Sequence, residues 1–146
     1  MNAKVDFENM ADAQIADDKT IIESLQLAQC YLESLSDMLL HAETSYEASN
    51  LEHKENIQSL GAFLSVCESL ATMTFQKVEQ LNLQSLEAIK ISEKIYGIAV
   101  GIQELGSFRT NISEVCGVLY GLSYVSKHLQ SELGVILDPI EFKKAI

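Results

Sequence analysis

The chain has no tryptophan, a single proline (Pro139) and a single arginine (Arg109). With only 7 glycines in 146 residues, it lacks the punctuation that many short strands require, so long helices are favoured. One arginine leaves no set of planar forks for gripping phosphates. The three cysteines, Cys30, Cys67 and Cys116, are odd in number and far apart. That spacing excludes a C-x-x-C motif and points to reduced, buried thiols rather than a disulfide framework. No apolar run reaches the roughly 18 residues of a membrane span. The segment "IYGIAVGI" is apolar, but Glu93 and Lys94 precede it and Glu104 follows. The opening "MNAKVDFENMADAQIADDK" carries no apolar stretch of the signal-peptide kind. The expectation is a cytoplasmic protein that does not enter a membrane.

What the chain does have is acid, unevenly placed. The net charge is −11. Residues 1–80 hold 14 acidic and 4 basic side chains, a balance of −10; residues 81–146 hold 7 and 6, a balance of −1. The first half therefore repels nucleic-acid phosphates and anionic membranes and attracts basic surfaces. An apolar content of 47% separates this chain from disordered acidic tails. Its length suits one domain that buries about two thirds of its unfolded surface.

Four segments repeat apolar residues at steps of three and four. They are Ile21-Leu25-Ala28-Leu32-Leu35-Leu39-Ala42; Ile57-Leu60-Leu64-Cys67-Ala71-Thr74-Val78-Leu81; Ala88-Ile91-Ile95-Ile98-Ile102-Leu105; and Ile112-Val115-Leu119-Leu122-Ser126-Leu129-Leu133-Ile136. Each puts one stripe on one helix face, the seam of a bundle. Thr20 with Glu23, Ser49 with Glu52, and Asn111 with Glu114 read as helix starts, and Asn82 as the cap of the third helix. Gly106 and Gly134 read as helix ends, and Asp138-Pro139 as the start of a short final helix. The fold class is thus all-α: an antiparallel four-helix bundle of two helical hairpins plus a short C-terminal helix. Residues 1–19 form an arm or a peripheral helix, and residues 20–146 the bundle domain.

Two surfaces stand out. The acidic one comprises Asp17, Asp18, Glu23, Glu33, Asp37, Glu43, Glu47, Glu52 and Glu55. The other is a face of the fourth helix with Gly117, Tyr120, Tyr124 and His128. Tyrosine suits an interface because it is apolar along the ring and hydrogen-bonds at its tip. Gly97/Gly101 and Gly117/Gly121 make small-x-x-x-small steps, which predict close approach of the third and fourth helices or a homodimer through them.

Chemistry is harder to find. His41, His53 and His128 each lack the Glu three residues earlier that di-iron bundles use, and no Cys/His cluster has zinc spacing. No G-x-S-x-G, P-loop or dinucleotide fingerprint occurs. The stretch "LEHKENIQSLGAFLSVCESL" resembles the phosphoacceptor helix of histidine phosphotransfer domains, themselves four-helix bundles. Lys54, Leu60, Gly61, Ala62 and Cys67 match over some twenty residues. Leu51, however, stands at the phosphorylated position and Glu55 at the glycine position. His53 lies two residues away, roughly 200° around a helix. The match implies at most a degenerate domain of that kind.

The expectation is therefore a protein without enzymatic activity, metal or cofactor, which contacts no nucleic acid directly. It presents the acidic surface to a basic, nucleic-acid-binding protein. In physical type it is similar to immunity proteins, antitoxins and phage-encoded nuclease inhibitors. The alternative is a helical secretion-type chaperone or scaffold that binds through the tyrosine face.

Overall fold

The computed structural model describes residues 17–48, 54–105 and 112–145. Readings on the arm through residue 16, the Ser49/Glu52 cap, His53, Gly106 and Asn111 lie outside these. Four helices make up the fold: α1 (Asp18–Ala48), α2 (Lys54–Glu79), α3 (Leu86–Leu105) and α4 (Ile112–Ala145), with no strand among the described residues. α1 borders α2 and α4, and α3 borders α2 and α4, while the diagonal pairs are not in contact among the described residues. This is the antiparallel four-helix bundle that the stripes predict.

The stripes are the core. Leu25, Ala28, Leu32, Leu35, Leu39 and Ala42 of α1 are fully or almost fully buried. So are Leu64, Cys67, Ala71, Thr74 and Val78 of α2, all six stripe residues of α3, and Val115, Leu119, Leu129 and Leu133 of α4. Each fully buried leucine or isoleucine contributes about 1.5–3 kcal/mol, which is what holds helices of ordinary propensity together. Thr74 and Ser126 sit in this apolar setting by donating their hydroxyls back to the Leu70 and Leu122 carbonyls, one turn earlier.

The α1–α4 seam is the most extensive and has a fixed register. Gln29 Nε2 donates to the Gln130 carbonyl (3.2 Å), Ser36 and Ser123 clasp, and Cys116 Sγ lies 3.9 Å from the Glu43 carbonyl. Each step of seven residues up α1 thus meets a step of seven down α4, about 10.5 Å apart along the axis. At the middle rung the Ser36 hydroxyl reaches the Ser123 carbonyl at 2.9 Å, and the Ser123 hydroxyl reaches the Ser36 carbonyl at 2.7 Å. The two hydroxyl oxygens are 3.1 Å apart.

The ends differ from the sequence reading. The final segment is not a helix of its own: α4 runs unbroken through Gly134 and Pro139 to Ala145. Gly134 is not in the left-handed region, and a Cβ there would meet Gln29 Nε2 at 3.4 Å, an ordinary contact. Leu133 and Leu137 both remain buried, so packing carries the helix past a weak residue and a lost backbone donor. At the other end Asp17, rather than Thr20, caps α1: its Oδ1 accepts from the Thr20 backbone N–H at 2.7 Å. Asn82 does not start α3. It closes α2 with φ 49°, a conformation that asparagine tolerates. Ser85 caps α3, its Oγ accepting from the Ala88 N–H at 3.1 Å.

The glycines also depart from expectation. Only Gly101 marks a close approach of α3 to α4, with Leu122 Cδ2 3.1 Å from a would-be Cβ. Gly97, Gly117 and Gly121 face open space.

Candidate functional site

The bundle geometry turns the two predicted surfaces into neighbours. On α1, Glu23, Glu33 and Asp37 are exposed and fall within roughly 80° of one another about the helix axis. On α4, Tyr120 (59% exposed), Tyr124 (68%) and His128 span a similar arc of roughly 80°. The seam's register sets Tyr124 level with Leu35 and Tyr120 level with Leu39, so each tyrosine lies two residues, about 3 Å along the axis, from Glu33 or Asp37. The two surfaces touch at their shared edge, where Gln130 Nε2 of α4 approaches Glu33 Oε2 of α1 at 3.4 Å.

The charge on this face is largely uncompensated. From Asp18 to Ala48, α1 carries six carboxylates and one lysine. Among the described residues, Glu132 lies close to Lys94 Nζ (3.6 Å) and to His128 Nε2 (3.0 Å), and no carboxylate of α1 has such a partner. Among the described residues, exposed Lys127 is the one lysine or arginine amid the tyrosines of α4. His128 leans towards Glu132 one turn on, which directs it to the α3 side of the tyrosine face.

Not every predicted residue joins this face. The Asp17 carboxylate is engaged as the cap of α1, next to exposed Asp18. Glu43 is half-buried, with its carbonyl facing Cys116. Glu52 and the side chains of Glu47 and Glu55 lie outside the described residues. On the phosphotransfer-like stretch, Gly61 and Ala62 are exposed and Cys67 is buried. Burial pushes the Cys67 thiol up from 9.0 to about 11, against a smaller lowering by a backbone hydrogen bond. Cys67 therefore stays protonated, and Cys30 is the exposed thiol among the described residues.

Two features escaped the sequence reading. One is the serine clasp, whose faint signal is a polar residue beside each core stripe at heptad spacing from Gln29 and Gln130. The other is a groove of about 290 Å³ between the end of α2 and the start of α3, bounded by Phe75, Val78, Glu79, Ile89 and Glu93. It depends on where one helix stops and the next begins, which no periodic pattern reveals.

No group of three or more His, Cys, Asp or Glu side chains suited to a metal ion is present among the described residues. None of the described helices is long and apolar enough to cross a membrane. No family model, curated protein or solved structure matches the chain, so the reading rests on its own residues.

Proposed function

We propose that this chain is a non-catalytic binding module whose α1–α4 face takes a basic surface of a partner protein. The observation that supports this reading is the placing of unneutralised Glu33 and Asp37 on α1, with Glu23 farther along the same face, beside exposed Tyr120 and Tyr124 on α4. Carboxylates accelerate encounter with a cationic surface and orient it. Exposed rings supply the area that holds the complex, and their faces favour arginine and lysine. A protein surface rich in those residues is one that otherwise meets nucleic-acid phosphates, so occupying it inhibits that contact. The chaperone-like reading through the tyrosines alone differs in one respect: it requires no carboxylates.

Affinity capture with the full chain separates the two. Wild type, Glu33→Lys/Asp37→Lys and Tyr120→Ala/Tyr124→Ala are compared at low and at high salt. The proposal expects a basic protein that is held by wild type, released by salt, and lost from both variants. A captured protein that survives charge reversal and high salt but not loss of the tyrosines would establish the chaperone-like reading instead.

A further inference from the structure

We infer that the groove at the α2–α3 turn is a binding site for a small organic cation with an apolar body, such as an aryl- or alkylammonium. The site stands on different residues from the α1–α4 face, and either can fail without the other.

The floor is apolar: Phe75 and Val78 from α2, Leu83 from the turn, and Ala88 and Ile89 from α3. Its rim carries a carboxylate on each wall, Glu79 at the end of α2 and Glu93 on α3. The other polar groups are Ser92 and Asn82, and no lysine, arginine or histidine among the described residues lines the groove. Neither Glu79 nor Glu93 takes part in an ion pair among the described residues. Lys94, the cation next to Glu93 in sequence, turns to Glu132 on the opposite side of α3.

The local sequence explains the opening. The last turn of α2 tightens, with Leu81 N–H donating to the Val78 carbonyl and Asn82 N–H to the Glu79 carbonyl. The left-handed Asn82 then swings the chain away. Small Ala88 and Ser92 line the groove together with the larger Phe75 and Val78. Phe75 is braced against Tyr96, with ring centroids 5.3 Å apart, which fixes one wall.

An apolar hollow with carboxylates at its lip favours a ligand that is apolar at one end and positively charged at the other. The body displaces water from Phe75 and Ile89, and the ammonium sits at the lip, where Glu79 and Glu93 attract it. Anions are rejected by like charge. The volume suits a single ring with a short chain.

The test is a titration of the isotope-labelled full chain with 2-phenylethylammonium chloride, followed by amide chemical shifts. The expected result is saturable shifts at Val78, Ala88, Ile89 and their neighbours, with half-saturation on the order of millimolar. The neutral isostere 2-phenylethanol binds several-fold more weakly, and 3-phenylpropionate gives no saturable shift. Glu79→Gln and Glu93→Gln each weaken the amine by about two- to fivefold, as exposed charge pairs do. Ser92→Leu, which fills the groove from an incompletely buried position, removes binding while leaving the helical circular dichroism intact. Equal affinity for amine and alcohol, or shifts unaltered by both glutamine variants, would overturn the assignment.

Discussion

The serine clasp between α1 and α4 gives the sharpest test of the fold. In the native chain each hydroxyl of Ser36 and Ser123 donates into the opposite helix, at 2.9 and 2.7 Å, and the two oxygens lie 3.1 Å apart. Both accepting carbonyls belong to helix residues whose ladders already use them. Removing one hydroxyl therefore orphans no carbonyl, and the loss is a net hydrogen bond rather than a desolvation penalty, about 1 kcal/mol. Ser36→Ala and Ser123→Ala should each lower stability by that amount, or about 3 °C in melting temperature for a chain of this length. The oxygen–oxygen contact makes the pair interdependent: once one hydroxyl is gone, the other loses a polar neighbour. The double variant should thus depart from the sum of the singles by about 0.5 kcal/mol or more. Ser36→Val should be worse than Ser36→Ala, because a branched side chain enters a filled seam at about 1–3 kcal/mol. Urea unfolding of wild type and the four variants, followed by circular dichroism with the slopes held equal, measures all of this. Strict additivity, or single alanine variants more stable than wild type, would show that the clasp does not form as described.

Two further predictions use other parts of the bundle. Gly97→Ala should stabilise by about 0.5–1 kcal/mol, since its Cβ meets open space in mid-helix, whereas Gly101→Ala should gain less or lose, because Leu122 lies 3.1 Å away; thermal melts of the two variants should split in that sense. Cys67, with its thiol raised to about 11, should resist alkylation at pH 8 under native conditions while Cys30 reacts, and unfolding should expose both thiols. The sign of its pH linkage follows. Below about pH 9 the thiol is protonated in both states and its contribution to stability is complete. Between about pH 9 and about pH 11 the unfolded chain ionises first, and up to about 3 kcal/mol is lost as pH rises. Cys67→Ala should show a shallower alkaline decline; equal declines would refute the assignment.

The core was almost fully legible because burial repeats with the helix period, and a repeat survives small errors in where an element begins. Leu25, Leu32, Leu39, Ile95, Leu119 and Leu133 were all placed by spacing alone. Element ends were less legible because they depend on single residues with more than one use. Gly134 has the residue type of a terminator but lies inside α4. Asn82 has the residue type of a helix start but takes the conformation of a helix end. Thr20 followed by Glu23 has the pattern of a capping box, yet Asp17 lies at the cap with a stronger, charged acceptor.

By itself the amino-acid order determined that the chain is helical, which residues face inward, and that negative charge gathers in the first half. These follow from local periodicity and from counting, and neither needs to know what lies across the core. Only the tertiary structure decided that α1 lies beside α4 in a register pinned by Ser36 and Ser123. That register sets the carboxylates of one helix beside the tyrosines of the other, and the α2–α3 turn leaves a groove between Glu79 and Glu93. Such features join residues tens of positions apart, and their proximity is created by packing, which sequence spacing does not encode.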